Sequence, residues 1–71
     1  MTQQEALEAV RQATTDYMAA AVTEEFDEED LDWLEWRQLR ASRRALDLGC
    51  PVAAIKATLI EAVEEVQECT A

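Results

Sequence analysis

The only glycine and the only proline of this chain, Gly49 and Pro51, stand two residues apart, so both of its strongest helix breakers fall at one place in the 71 residues. Around them Ala, Glu, Gln, Leu and Arg dominate, all strong helix formers, and no run alternates apolar with polar residues as a half-buried strand does. The fold class is therefore all-α. The two breakers together mark one sharp reversal of the chain.

Local signals place three helices, at about 3–22, 28–48 and 51–69. Thr2 and Glu5 make the capping-box pattern T-x-x-E, in which hydroxyl and carboxylate each accept from the other residue's backbone N–H. On the first helix Leu7, Val10, Tyr17 and Ala21 share a side, with Ala6, Ala13 and Met18 flanking it and Thr14 interrupting it. Asp27 suits the N-cap of the second helix, with Asp30 three residues on, and Phe26 and Leu31 stand where a hydrophobic staple would close. Acids crowd the first turns of this helix, while Arg37, Arg40, Arg43 and Arg44 occupy its later half, the polarity that the helix dipole favours. Gly49 suits the left-handed C′ position, and Pro51 the first turn of the third helix.

Two stripes with three-and-four spacing carry the architectural expectation. The second helix presents Leu31, Leu34, Gln38, Ala41, Ala45 and Leu48; the third presents Val52, Ile55, Leu59, Ala62, Val66 and Cys69. Folded at Cys50, they pair at numbers summing to 100, so that Ala45 meets Ile55, Ala41 meets Leu59 and Leu34 meets Val66. Large opposes small in the middle. That pattern predicts an antiparallel αα-hairpin, with the first helix added to it, in a single domain over residues 1–71.

A chain this short buries only about 60% of the surface its unfolded form exposes. Ordering it costs roughly 100 kcal/mol of conformational entropy, so domains of this size commonly add a metal, a disulfide or a second subunit. With no His and two Cys, the chain lacks a zinc ligand set. Cys50 and Cys69 at opposite ends of one helix are about 27 Å apart, far beyond disulfide reach. A helical homodimer is the remaining device, and no cofactor or metal is expected.

Sixteen acidic residues against six basic ones give a net charge of −10, which repels nucleic acid and anionic lipid and argues against binding either directly. No stretch reaches the roughly 20 apolar residues of a membrane span, and no basic and apolar leader is present, so a cytoplasmic location is expected. Reduced thiols fit that compartment. Cys50, near a helix N-terminus, is the better placed of the two for a regulatory role, yet no His or CxxC partner activates it.

Trp33 and Trp36 fall off the Leu31–Leu48 stripe, at about 200° and 140° around the helix if Leu31 is zero. Arg37 and Arg40 follow them by four residues, so that each indole can stack under a guanidinium, and Arg44 extends the basic row. Trp and Arg together are the residue types enriched where proteins bind proteins. An external partner, a twin subunit and the first helix of the same chain are the three ways to cover them. Leu39, Leu46 and Ile60 widen the apolar surface beyond one stripe and call for a third packing partner.

Residues 24 to 35 hold eight of the sixteen acids, among them Glu28, Glu29, Asp30 and Asp32. A calcium loop needs a Gly at its sixth position, which this run lacks. The acids are either a solvated helix start or an acidic docking surface that imitates nucleic-acid phosphates. Glu61, Glu64, Glu65 and Glu68 read as a second, solubilising face. Nothing assembles a nucleophile, base and orienter, so the chain is not expected to be an enzyme.

In size, helix content, acidity and lack of catalytic residues the chain is similar to small inhibitors encoded by bacteriophages, such as anti-CRISPR proteins and anti-activators of host transcription factors. The similarity covers no motif and transfers no site residues. It implies a small inhibitor or regulator working in a host cytoplasm by sequestering a protein. An acidic nucleic-acid mimic and a small structural or chaperone subunit are the other classes in view.

Overall fold

A computed structural model describes residues 1–23 and 27–70. Within them lie three helices and no strand: α1 (Gln3–Thr23), α2 (Glu28–Asp47) and α3 (Val52–Thr70). The staple at Phe26, the acids Glu24 and Glu25 and the side chain of Cys69 lie outside the described residues.

The capping box forms. Thr2 N donates to Glu5 Oε1 at 3.0 Å, and Glu5 N donates to Thr2 Oγ1 at 3.1 Å. Asp27 occupies the N-cap of α2 with extended dihedrals, φ −74° and ψ 153°, but its side chain makes no capping bond. Its backbone carbonyl instead accepts from Asp30 N and Leu31 N.

The α2 terminus closes as a Schellman motif. Cys50 N reaches Ala45 O and Gly49 N reaches Leu46 O, each at 3.0 Å, with Gly49 at φ +88°. This geometry turns the chain and brings Cys50 onto Ala45 in the core, the apolar contact that usually accompanies such a cap. Pro51 then precedes α3, its carbonyl accepting from Ala54 N and Ile55 N.

Tertiary packing departs from the hairpin expected above. Helix α1 packs along both of the others, whereas α2 and α3 barely touch. The two stripes do turn inward, since Ala45, Ile55, Ala62 and Val66 are buried and Leu31, Leu34, Ala41 and Leu59 are half-buried. They face α1 instead of each other. Leu48 and Val52, at the end nearest the reversal, are exposed at 37% and 57%. The physical reason lies in α1, whose Ala6, Ala13 and Ala20 are buried and small enough to admit a close neighbour, so that one helix serves two apolar stripes. Ala21, expected on the apolar side of α1, is exposed.

Polar contacts set the register. Gln3 Nε2 donates to Leu48 O at 2.9 Å, Gln38 Nε2 to Thr14 Oγ1 at 3.1 Å, and Arg37 Nη1 pairs with Asp16 Oδ2 at 2.6 Å. Later residues of α1 meet earlier residues of α2, so those helices run antiparallel. Against α3 the numbers rise together, with Cys50 Sγ donating to Gln3 O at 3.7 Å and Arg11 Nη2 pairing with Glu65 Oε2 at 2.7 Å. Helices α1 and α3 are parallel.

The core is thin. Ala6, Val10, Ala45, Cys50 and Ile55 form its central cluster, and among the described residues Val10 is the largest side chain that is fully buried. The molecule measures 35 × 27 × 16 Å. Its surface is 5090 Å² for 8.0 kDa, against about 4,450 Å² for a typical folded monomer of that mass. Its radius of gyration is 12.2 Å, against about 11.1 Å for a compact chain of this length. Both measures place it on the open side of what a single small domain adopts.

Candidate protein-docking site

The face of α2 that points away from the core carries the indoles. With the Leu31–Ala45 stripe turned to α1, residues near the opposite side of the wheel must face solvent, and Trp33 and Trp36 are 57% and 48% exposed. Their rings stack at 5.2 Å between centroids with 25° between planes. The Arg40 guanidinium lies over the Trp36 ring at 5.1 Å, the cation–π contact expected from the four-residue spacing. Arg37 does not cover Trp33 in the same way; it turns to Asp16 of α1, because a half-buried carboxylate holds it more firmly than an exposed ring face.

Trp33, Trp36, Arg37, Arg40 and Arg44 line one open groove between α1 and α2, with a volume of about 700 Å³. Ala6, Ala9, Ala13 and Ala41 are among its other lining residues, and Glu5 and Glu8 stand on the α1 side. The Thr2 backbone N–H and hydroxyl hold the Glu5 carboxyl below the usual carboxylate range. The groove thus joins apolar and indole surface to a row of guanidinium groups on one side and carboxylates on the other. Such a lining suits an amphipathic protein segment.

The acidic residues Glu28, Glu29, Asp30 and Asp32 are all exposed at the start of α2, and among the described residues none of them is in an ion pair. Glu65 belongs to a different environment from the one its sequence neighbours suggest. It is half-buried and takes both Nε and Nη2 of Arg11, at 3.1 and 2.7 Å, instead of serving a solvated acidic face. This bond, with the charge of Glu65, raises the Arg11 pKa. Arg11 is the lone basic residue of α1, so its need for a carboxylate was visible in the sequence; the partner was not.

A second pairing that the sequence hid is Thr14 with Gln38. Thr14 is 3% exposed, donates to Val10 O at 2.8 Å and accepts from Gln38. In the sequence each stands as a polar residue at a position of an apolar stripe. Two such interruptions on facing helices are the available clue, because a buried polar group must find a partner.

Cys50 is 5% exposed and packs in the central cluster with its thiol toward Gln3 O, so it is not presented to solvent as a sensor thiol would be. Among the described residues no group of three His, Cys, Asp or Glu side chains is arranged to hold a metal ion, and no helix is long and apolar enough to cross a membrane. No protein-family model, curated protein or solved structure has significant similarity to this chain.

Proposed function

We propose that the chain is a non-enzymatic protein-binding module, a homodimeric inhibitor or regulator that sequesters a partner protein in the cytoplasm. The observation that carries this reading is the exposed, mutually stacked Trp33–Trp36 pair at the rim of a groove that also contains Arg37, Arg40 and Arg44. Leaving two indoles in water forgoes a large hydrophobic gain, since burying one large apolar side chain is worth roughly 1.5–3 kcal/mol. Side chains of this kind dominate binding energy where they are enclosed by a partner. The groove fits a helix of a partner protein, its apolar stripe on the indoles and its acidic residues on the arginine row.

The test is a comparison of the chain with its Trp33→Ala, Trp36→Ala double variant. Proteins captured from the producing cell's lysate are identified, purified and titrated against both forms. The double variant is expected to weaken the purified partner at least about tenfold, the loss of one modest hot spot. Equal binding by both forms would remove the groove from the account.

The exposed acids Glu28, Glu29, Asp30 and Asp32 support a second reading, a nucleic-acid mimic that blocks a DNA- or RNA-binding protein. Salt separates the two. Charge-led binding fades steeply between about 50 and 200 mM salt, whereas binding led by indole burial persists.

A further inference from the structure

Helix α2 is polarised along its exposed face. Glu29 and Asp32 stand on the N-terminal side of Trp36, and Arg40 and Arg43 on the C-terminal side, at spacings of three and four residues that keep all of them on one side of the helix. All five, with Trp33 and Leu39, are exposed, because α1 occupies the opposite face. From this we infer that the face pairs with the same face of a second copy, antiparallel, about a two-fold axis through Trp36.

The argument is one of self-complementarity. An isologous contact brings each residue against a partner equally far from the axis on the other side. Centred on Trp36, Glu29 comes level with Arg43 of the second copy, Asp32 with Arg40, and Trp33 with Leu39. Both charged levels are then attractive and each occurs twice, while the aromatic and aliphatic residues gather at the centre. A parallel pair would instead set acid against acid and arginine against arginine, so the charge order selects the antiparallel arrangement.

The chain as a whole carries surplus surface of the amount that a dimer contact covers. The chain exposes 5090 Å², about 640 Å² more than a monomer of its mass typically does, and a contact that covered this excess on two copies would bury roughly 1,300 Å². That falls within the range of specific protein interfaces, about 1,200–2,000 Å². The pairing rests on the reading of the Trp face as a protein interface and names its occupant. It shares Trp33, Trp36 and Arg40 with the groove, so a partner helix on the indoles displaces the second copy, while Glu29, Asp32, Leu39 and Arg43 lie outside the groove lining.

Sedimentation equilibrium of four chains tests it: the native sequence, Glu29→Arg, Arg43→Glu, and the chain carrying both changes. Native protein is expected at twice the 8.0 kDa of one chain at sub-millimolar concentration. Each single variant raises the dimer dissociation constant by about tenfold, because two attractive pairs become repulsive. The double variant recovers the native constant. Within one helix the two positions are about 21 Å apart, so recovery has to arise between chains. Circular dichroism of each variant checks that the helices remain.

A native chain that stays at 8.0 kDa overturns the pairing, and so do single variants that dimerise like the native protein or a double variant that fails to recover. Glu29 and Arg43 lie outside the groove lining, so titrating the purified partner against their variants separates partner capture from dimerisation, whereas the indole double variant removes residues of both surfaces. Loss of the native dimer in both single variants with recovery in the double supports the pairing and excludes a parallel dimer.

Discussion

Replacing Gly49 by alanine tests how the α2–α3 reversal and the start of α1 are joined. At φ +88° an alanine enters the left-handed region, at roughly 1–2 kcal/mol. Its Cβ would also stand 3.2 Å from Gln3 Nε2, tighter than an ordinary contact, so the amide that donates to Leu48 O has to shift. Weakening that exposed bond adds about 0.5 kcal/mol. Against this, alanine restricts the unfolded chain and returns about 0.4–1 kcal/mol. The net loss is about 1–1.5 kcal/mol, which for a domain of this size lowers the melting temperature by roughly 5–10 °C. Thermal unfolding followed by circular dichroism measures it. Gly49→Asn, which tolerates the left-handed region better, should lose less. In the Gln3→Ala background the Gly49→Ala loss should shrink by the contact part alone, about 0.5 kcal/mol. A melting temperature unchanged to within 2 °C of native, on a scale where 1 kcal/mol moves it by about 4–8 °C, would refute both the conformational and the contact argument.

Other expectations follow from the same contacts. Thr14→Val removes the acceptor for Gln38 inside the α1–α2 interface and should cost about 1–2 kcal/mol in urea unfolding, while Thr14→Val with Gln38→Leu should regain part of it. The Glu5 carboxyl has a lowered pKa in the folded chain, so its contribution is complete above the unfolded value of 4.5 and disappears as pH falls through the folded value. Glu5→Gln should therefore flatten the acid side of the stability–pH curve below about pH 4.5 and change its shape little above that. Tryptophan emission should be red-shifted in dilute protein, as expected of indoles 57% and 48% exposed, and move to shorter wavelength as concentration rises. An emission maximum independent of concentration, in protein that sediments as a dimer, would place the indoles outside the dimer contact.

Helix boundaries were legible because the signals that set them are local. Thr2 with Glu5, and Gly49 before Pro51, act within one turn of chain, and each produced the cap its residue types imply. The inward direction of the Leu31–Ala45 and Ile55–Val66 stripes was legible for the same reason, since helical periodicity fixes which residues share a side. From this the outward position of Trp33 and Trp36 followed. Asp27 takes the N-cap position its residue type implies, although its side chain does not turn toward the backbone.

Which helix each stripe faces was a tertiary decision. Complementary spacing on α2 and α3 allowed them to zip together, but the same stripes also fit α1, whose alanines admit two neighbours at close range. An apolar stripe states how much surface must be covered and not by what, since the hydrophobic effect has no direction. Directional groups made the choice. Thr14 with Gln38 and Asp16 with Arg37 hold α1 against α2, and Arg11 with Glu65 holds it against α3, so that together they place α1 beside both. Periodicity determined the faces of this protein, and hydrogen bonds across long sequence distances determined their neighbours.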